Sequence, residues 1–528
     1  MTPPVLRAEL IARLQEPREW DLAVIGGGAT GLGVALDAAA RGLSVVLVES
    51  HDFAQGTSSR ATKLAHGGVR YLAQGNIGLV REALHERTAI LANAPHVAQR
   101  LSFVMPGYHW WERGFYGVGL TAYDALAGSQ GLGRTEVLST RRTVELLPGV
   151  KQAGLWGGVR YWDGQFDDAR LALLLARTAA ARGALVVNHC EATGLLREAG
   201  KVLGVQVRCK ESGSTATLRA GCVVNATGVW VDAVRDMDRD VDAPPVQRLV
   251  APSQGVHLVV DRSFLPGTNA LMVPKTEDGR VMFAVPWYGK TILGTTDTPR
   301  KDLAREPEAF ADDVGFILRE SARYLAKAPQ RSDVRSIWVG LRPLVKPVGD
   351  DAGNTKALSR EHTVLVGNSG LVTVTGGKWT TYRSMAEDVL AQAMDAGLLP
   401  QRAAGVTARL SLIGAAPGRP LCEPPGEHLY GSEANLLRSL PGATHWLCRD
   451  AETGRGGLSE AMVRFAARYE MAHDVEDVLA RRSRLLFLDA AEAGRQADAV
   501  AAILAEELGR PIDAAPFKAL AAQYARLP

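Results

Sequence analysis

The sequence predicts an α/β protein with a second, antiparallel sheet and a helical C-terminal domain. Three observations lead to this prediction. Residues 21–49 have the pattern of a strand, a glycine turn, a helix and a strand, and strand patterns recur between residues 246 and 345. Residues 426–528 are rich in Ala, Arg, Leu and Glu at helical spacing. A chain of 528 residues exceeds one ordinary hydrophobic core, which agrees with several domains.

The glycine turn GGGATG, at residues 26–31, is the most informative motif. Gly26 lets the first strand turn tightly, Gly28 lets the backbone approach a pyrophosphate, and Gly31 lets the helix pack close to the strand. The helix N-terminus presents N–H groups and a partial positive charge to the phosphates. Glu49 ends the second strand, where a carboxylate accepts hydrogen bonds from a ribose diol. The motif therefore predicts FAD or NAD rather than NADP.

The composition argues against several other classes of protein. A hydrophobic share of 46% and a charged share of 22% are typical of a globular protein. A net charge of +3 argues against a nucleic-acid-binding surface. The five cysteines are scattered without a CxxC pair, so we expect neither a disulfide framework nor a metal site. From the mixed charges of the first 20 residues we expect no secretory signal, and without a run of about 18 apolar residues we expect no membrane span.

Two downstream segments favour FAD over NAD. The segment VVNATGVW ends a strand on small residues, among them Ala226 and Gly228, against which a cofactor can lie. The segment VTVTGGKWTTYR places Gly376 and Gly377 before a second helix, with Lys378 in its first turn. Such a helix N-terminus suits the electron-rich end of an isoalloxazine, because anionic reduced flavin needs positive charge there.

These motifs together resemble the FAD-dependent glycerol-3-phosphate dehydrogenases, within the glycine-oxidase and D-amino-acid-oxidase superfamily. The resemblance is carried by VIGGGATGLG (24–33), TSSRATKLAHGGVRYL (57–72), NATGVWVD (225–232), GTTD (294–297), GLRPL (340–344), SREHT (359–363) and GGKWTTYR (376–383). It is colinear over about residues 20–395 and continues more weakly through YGS and VEDVLARRSRLLFLD in the C-terminal domain. Arg60 departs from the pattern, which has a small residue at that position.

The predicted fold class is therefore α/β, with a Rossmann-like FAD/NAD(P)-binding domain, an antiparallel-sheet substrate domain and a C-terminal all-helical domain. We expect the oxidoreductase domain over residues 20–395, a linker rich in Pro and Gly over 396–425, and the helical domain over 426–528. FAD-binding parts are expected at about 20–75, 151–245 and 355–395, and substrate-binding parts at about 76–150 and 246–354. Within these, residues 101–150 are expected to be irregular and rich in aromatic side chains.

The resemblance implies a substrate site for a small phosphate that carries a secondary alcohol. Arginine suits a phosphate dianion because its fork donates to two oxygens, and histidine suits the removal of an alcohol proton. The expected catalytic residues are His257, Arg342 and Lys378. The expected substrate-binding residues are Arg70, Tyr71, Arg342, Arg360 and Lys378. The expected cofactor-binding residues are Gly26, Gly28, Gly31, Glu49, Thr57, Ser58, Lys63, His66, Ala226, Gly228, Gly376, Gly377 and Thr380.

The function implied by the resemblance is oxidation of sn-glycerol 3-phosphate to dihydroxyacetone phosphate, with hydride transfer to FAD and onward transfer of electrons to a quinone. It also implies a cytoplasmic protein that lies peripherally on the inner face of the membrane. Trp110, Trp111 and the aromatic residues up to Tyr123 are candidates for that contact, as is the helical C-terminal region. Three alternatives stay open: an amino-acid or amine oxidase, an oxidase that uses oxygen, and a flavoprotein without turnover. The sequence also leaves open whether the chain forms a homodimer.

Overall fold

The computed structural model describes residues 4–68, 76–240, 244–346, 361–450 and 453–528. Its first sheet is mainly parallel and carries an antiparallel extension. The strands of this sheet are Glu19–Ile25, Val45–Val48, Leu185–Val187, Cys190–Glu198, Lys201–Cys209, Thr215–Asn225, His362–Val366 and Leu371–Gly376. Three of its parallel strands, Glu19–Ile25, Val45–Val48 and Leu371–Gly376, are almost wholly buried, as expected where helices cover a sheet.

The register of the parallel strands brings the turns that follow several of them to the same edge of the sheet. Ile25 pairs with Val48 on one side and with Asn225 on the other. Asn225 in turn pairs with Thr373, in the strand that ends at Gly376. The segments that follow these strands therefore meet at the carboxyl edge, where open α/β sheets form their binding crevices.

Three helices lie beside this sheet: Ala29–Ala40, Asp168–Ala181 and Tyr382–Asp395. The first packs against each of the other two. The first and third approach closely, because a Cβ at Gly33 would lie 2.8 Å from the Tyr382 ring. Their apolar faces join the strands in one buried core, in which a side chain as large as Leu contributes about 1.5–3 kcal/mol. This packing fixes the starts of the helices relative to the strand ends.

The second sheet is mainly antiparallel and follows from the alternating and β-branched strand patterns. Its strands are Leu64–Ala65, Ala98–Gly107, Glu136–Leu138, Gly157–Phe166, Val250–Asp261, Ala270–Val273, Met282–Trp287, Lys290–Gly294, Thr298–Pro299 and Ser336–Val345. One face of it packs against the helix Ala311–Tyr324. Another helix, Ile77–Asn93, begins at Asn76, whose side chain accepts from the Leu79 N–H.

The expectation of an irregular segment over residues 101–150 is wrong. The structure places a strand at Ala98–Gly107 and helices at Glu112–Ala127 and Thr140–Leu146. Large apolar side chains of the helix Glu112–Ala127, such as Phe115 and Val118, are exposed to solvent. They interrupt the apolar periodicity that marks a core-facing helix, so the sequence pattern did not reveal it.

The C-terminal region is helical apart from one small two-stranded sheet. Its helices are Ala434–Arg438, Glu460–Tyr469, Leu485–Leu488, Ala490–Leu508 and Ala515–Ala525, with a π-helix at Asp477–Arg482 and strands at Trp446–Cys448 and Leu458–Ser459. Phe487 shares one hydrophobic core with Trp287 and Trp338 of the second sheet. The C-terminal helices thus close the side of that sheet that carries these two tryptophans.

Residues 396–426 contain neither helix nor strand but are hydrogen-bonded to two helices, Ala29–Ala40 and Ile77–Asn93. The Asn93 side chain donates to the Thr407 carbonyl at 3.1 Å, and the Thr407 hydroxyl donates to Asp37 at 2.9 Å. Two shorter helices, Arg7–Gln15 and Val231–Met237, complete the framework. Across the described parts of the chain, no helix is both long enough and apolar enough to cross a membrane.

Candidate active site

The glycine turn forms a cradle at the carboxyl edge of the first sheet. Gly26 has φ +112°, and a Cβ there would lie 2.6 Å from the Ala226 carbonyl oxygen. A Cβ at Gly31 would lie 2.0 Å from the Gly26 carbonyl oxygen, which only glycine avoids. Ala29 begins the helix, and its N–H donates to the Ser58 hydroxyl at 2.9 Å. The turn is therefore held by two other chain segments.

A cavity of about 310 Å³ opens above this cradle. The predicted cofactor-binding residues that line it are Gly26, Gly28, Glu49, Thr57, Ser58, Ala226, Gly228, Gly376 and Gly377. The Glu49 carboxylate accepts from the Gly27 N–H at 2.7 Å and from the His51 N–H at 2.8 Å, which fixes its orientation. Gly31 does not line this cavity. Its lack of a side chain lets the helix pack closely against the Gly26 carbonyl.

A second cavity of about 330 Å³ adjoins the first. The two share lining residues, among them Thr57, Pro343, Gly377 and Lys378. The predicted site residues that line the second cavity are Thr57, His66, His257, Arg342, Gly377, Lys378 and Thr380. His66 and Thr380, expected at the cofactor, thus line the second cavity rather than the first.

His257 is buried in the strand Val250–Asp261 and lies flat against Trp338, with ring centroids 5.1 Å apart. Its Nε2 lies 2.9 Å from the Thr62 hydroxyl. Burial holds the pKa of His257 well below its usual value, and the charges of Lys63 and Arg342 lower it further. The imidazole is therefore neutral at pH 7, the state in which a histidine accepts a proton.

Arg342 lies in the strand Ser336–Val345 and points toward the loop after Gly294. Its guanidinium donates to the Gln254 carbonyl at 3.2 Å, to Asp297 at 3.3 Å and to the Thr295 hydroxyl at 3.3 Å. Its side chain remains 24% exposed, so it is held in place while facing the cavity. A fixed arginine of this kind suits an anionic substrate.

Lys378 follows the two glycines of the second turn, which have φ +81° and +72°. The sequence places the start of a helix here, and the structure gives a short 3-10 turn, Trp379–Thr381, that leads into the helix from Tyr382. Lys378 precedes that turn and lines both cavities. Its position at their common wall suits contact with both a cofactor and a substrate.

Lys63 is not brought to either cavity. It is fully buried, and its ammonium donates to Asp168 at 2.8 Å and to the Ser59 carbonyl at 2.7 Å. Arg60, the departure from the family pattern, is also buried and pairs with Glu306. Three other predicted residues, Arg70, Tyr71 and Arg360, lie outside the described residues.

Several residues that sequence reasoning did not single out take part in this site. Thr62, Thr295 and Asp297 hold the predicted histidine and arginine, although all three fall inside the quoted motifs. At the first cavity, Arg305 lies 4.4 Å from the Trp230 ring centroid, and both line the wall. Arg305 comes from a loop with no periodic pattern, so only the folded chain reveals it.

The residues present fit a bound dinucleotide. The helix start at Ala29 and the cradle of Gly26 and Gly28 suit a pyrophosphate, and Glu49 suits a ribose diol. The second glycine turn lines the same cavity, where an electron-rich ring would meet Lys378. The fold and the paired cavities thus define a flavin-dependent oxidoreductase.

The chain belongs to the FAD-dependent oxidoreductase family, whose model matches residues 21–383. A second model, the C-terminal domain of alpha-glycerophosphate oxidase, matches residues 427–514. These matches confirm the predicted fold class and FAD as the cofactor.

More particularly, the chain is 40% identical to the mitochondrial glycerol-3-phosphate dehydrogenase of Rattus norvegicus, over 96% of this chain and 73% of that protein. It is 40% identical to the mitochondrial glycerol-3-phosphate dehydrogenase of Arabidopsis thaliana, over 92% of this chain and 82% of that protein. Its fold matches the Bacillus halodurans glycerol-3-phosphate dehydrogenase complexed with FAD, with TM-score 0.77, 29% identity and 98% coverage of both chains. The resemblance inferred from the motifs is thereby confirmed.

Proposed function

We propose that this flavoprotein oxidises sn-glycerol 3-phosphate to dihydroxyacetone phosphate. The observation that carries the proposal is the second cavity, where a buried histidine and an anchored arginine adjoin the cofactor cavity. A secondary alcohol next to a phosphate needs a proton acceptor and a cation at these two places. The names of the relatives give the same substrate.

In the proposed reaction, Arg342 and Lys378 bind the phosphate and orient the alcohol. Asp297 and Thr295 keep the guanidinium of Arg342 directed, so little side-chain freedom is lost on binding. Arg70 and Arg360 remain proposed phosphate ligands from the family motif. FAD, when bound, supplies the acceptor for the C2 hydride.

His257 accepts the proton of the C2 hydroxyl in this proposal. Nε2 lies 2.9 Å from the Thr62 hydroxyl, and the tautomer of the ring decides which of the two groups donates. Trp338 holds the ring plane. Burial and the charges of Lys63 and Arg342 disfavour the imidazolium, so the imidazole is neutral when the substrate binds.

The test is anaerobic mixing of the purified yellow protein with sn-glycerol 3-phosphate while the visible flavin absorbance is followed. Rapid bleaching supports the proposal. Bleaching by glycine or another amino acid, with none by glycerol 3-phosphate, would assign the chain to the amine oxidases. Glycerol without the phosphate is the matched control and should bleach the flavin far more slowly, since Arg342 and Lys378 would then have no anion to bind.

We also propose that the electrons pass to a membrane quinone while the protein lies on the inner face of the cytoplasmic membrane. An exposed apolar ridge supports this: Trp110 is 74% exposed, Phe115 67%, Val118 75% and Trp156 54%. Isolated exposed apolar residues are common, whereas clustered large ones mark an interaction surface. Most of the ridge lies on or just before the helix Glu112–Ala127.

Co-sedimentation with anionic lipid vesicles tests the membrane proposal. Phe115→Ser combined with Val118→Ser should reduce the vesicle-bound fraction while glycerol 3-phosphate still bleaches the flavin. The matched control is Leu365→Ser combined with Val366→Ser, two exposed apolar residues in the first sheet. Equal binding by both double variants would remove the ridge from the membrane contact.

The proposed domain division keeps residues 20–395 as the oxidoreductase domain, 396–425 as a linker and 426–528 as a helical domain. The two family matches, over residues 21–383 and 427–514, support it. The linker is not a loose tether in this proposal, because Thr407 is bonded to Asn93 and Asp37.

A further inference from the structure

One short segment, Thr57–Lys63, contributes to both cavities. Thr57 lines both of them, and the Ser58 hydroxyl accepts from the Ala29 N–H at the start of the helix Ala29–Ala40. Thr62 bonds His257 at 2.9 Å. A shift of this segment would therefore move a wall of the cofactor cavity and the partner of the proposed base together.

The segment is fixed from behind by a buried cluster that sequence reasoning missed. The Ser59 carbonyl accepts from Arg484 Nη2 at 2.7 Å and from Lys63 Nζ at 2.7 Å. Asp168 accepts from both cations, at 3.0 Å from Arg484 and 2.8 Å from Lys63, and also from the Ala61 N–H at 3.0 Å. The side chains of Arg484, Lys63 and Asp168 are 0% exposed.

Arg484 comes from the C-terminal region and is itself tightly constrained. It has φ +65°, a left-handed conformation that is uncommon for a residue with a side chain, and it follows the π-helix Asp477–Arg482. Its Nη1 donates to the Ala480 carbonyl at 2.9 Å, and its guanidinium lies 4.3 Å from the Phe487 ring centroid. These contacts hold the Arg484 guanidinium in the position from which it reaches the oxidoreductase domain.

The cluster contains two basic and two acidic side chains. Lys63 and Arg484 are the basic members, and Asp167 and Asp168 are the carboxylates that they contact. Removing one partner from such a buried set leaves a charge without compensation, whereas the complete set holds its members in one geometry. The cluster is therefore suited to fix the position of the Ser59 carbonyl.

We propose that Arg484 is a positioning residue for the flavin site, which it orders by holding the Ser59 carbonyl and, through it, the segment Thr57–Lys63. This inference deepens the proposed function and rests on it for the kinetic part. Arg484, in the C-terminal region, would thus affect the reaction rate without contacting the substrate or the cofactor. The FAD-loaded full-length protein is the material for the test.

Arg484→Met should weaken FAD retention and slow flavin reduction by glycerol 3-phosphate about 10- to 100-fold per bound flavin, since small displacements near reacting groups cost that much. The matched control is Arg170→Met. Arg170 is also buried and also joins the two regions, but its guanidinium bonds Glu470 and the Arg482 carbonyl instead of the segment. The control should lower thermal stability while leaving the rate per bound flavin within about twofold.

Arg484→Lys should recover part of the rate, because one ammonium can still reach the Ser59 carbonyl or Asp168 but not Ala480 as well. This variant also keeps the test decisive if Arg484→Met fails to fold. Thr62→Val combined with the position-484 variant gives a double-mutant cycle on the reduction rate. Positioning through the segment predicts a combined loss smaller than the product of the two single losses.

Equal rates per bound flavin for Arg170→Met and Arg484→Met would overturn the proposal, as would strictly multiplicative losses in the cycle. Failure of the proposed substrate is distinguishable, because FAD retention and the visible flavin spectrum need no substrate. If glycerol 3-phosphate does not bleach the wild-type flavin, a changed spectrum in Arg484→Met with an unchanged spectrum in Arg170→Met still supports positioning, and unchanged spectra in both overturn it.

Discussion

The cofactor edge and the substrate cavity are built in different ways. At the cofactor edge, Gly26, Gly28 and Glu49 come from one stretch of fewer than thirty residues, and their geometry follows from one strand–turn–helix unit. At the substrate cavity, Thr62, His257 and Arg342 come from distant segments and meet only because the second sheet folds. Local chain geometry shapes the glycine turn of the first site, whereas the second site is assembled by tertiary contacts alone.

Mutations at the cofactor edge and in the substrate cavity should therefore have different effects. A change at the cofactor edge should remove the flavin itself, whereas a change in the substrate cavity should leave the flavin bound and slow its reduction. The buried cluster around Arg484 joins the two, since the segment Thr57–Lys63 reaches both.

The largest effect is expected from Gly31→Ala, which acts on the cofactor edge. Its Cβ would lie 2.0 Å from the Gly26 carbonyl oxygen, so the turn and helix must separate. FAD per chain, measured from absorbance after gel filtration, should fall to a small fraction of wild type. The control is Gly119→Ala, also within a helix, where a Cβ meets nothing within 4 Å. A yellow, fully loaded Gly31→Ala protein would contradict the cradle.

His257→Gln should lower the rate of flavin reduction about 10²- to 10⁴-fold, the usual contribution of a general base. FAD content should stay near wild type, because His257 lines only the second cavity. Stopped-flow absorbance measures the rate. His96→Gln is the control, since His96 is equally buried but lies at neither cavity. A wild-type rate in His257→Gln would exclude it as the proton acceptor.

Arg342→Met should lower kcat/KM for glycerol 3-phosphate about 10- to 100-fold, because an ionic hydrogen bond contributes about 1.5–3 kcal/mol. Arg335→Met is the control, since Arg335 precedes the same strand and pairs with Asp261 at the surface. Steady-state kinetics with an artificial acceptor gives both values. Equal kcat/KM for the two variants would place the phosphate elsewhere.

The last effect concerns the dependence of stability on pH. Burial lowers the pKa of Lys63 from 10.5 to about 7, opposed by Asp168 and Asp167 and assisted by Arg484. Between these two values the unfolded chain binds more protons than the folded chain, so this lysine makes stability rise with pH from about 7 to 10.5. Lys63→Met should flatten that rise in Tm, whereas Lys518→Met, at an exposed ion pair, should keep it. An unchanged pH slope in Lys63→Met would contradict the shift.

The sequence predicted the cofactor edge well because each of its parts is a local necessity. The turn at Gly26, the helix at Ala29 and the acid at Glu49 all need specific residue types at fixed spacings. The fold class, which the family matches confirm, could be predicted because most of its strands and helices carry clear periodicities. The roles of the predicted site residues stay predictions, although the structure gathers most of them around the two cavities.

Other features were beyond the sequence because they depend on long-range contacts. Lys63 sits in a motif with the glycines and hydroxyls of a binding loop, yet the fold turns it toward Asp168, which also pairs with Arg484. The helix Glu112–Ala127 escaped detection because its exposed aromatic residues hide its periodicity. Arg484 lies some 425 positions from Ser59, a distance that no local pattern bridges.

The most direct measurement is anaerobic stopped-flow reduction of the bound flavin by sn-glycerol 3-phosphate that carries deuterium at C2. Hydride removal from C2 in the cavity of His257 and Arg342 predicts bleaching that slows several-fold with the deuterated substrate, and far weaker bleaching in His257→Gln at unchanged FAD content. Full FAD content with no bleaching by either isotopic form would contradict the proposed substrate and the role of the second cavity.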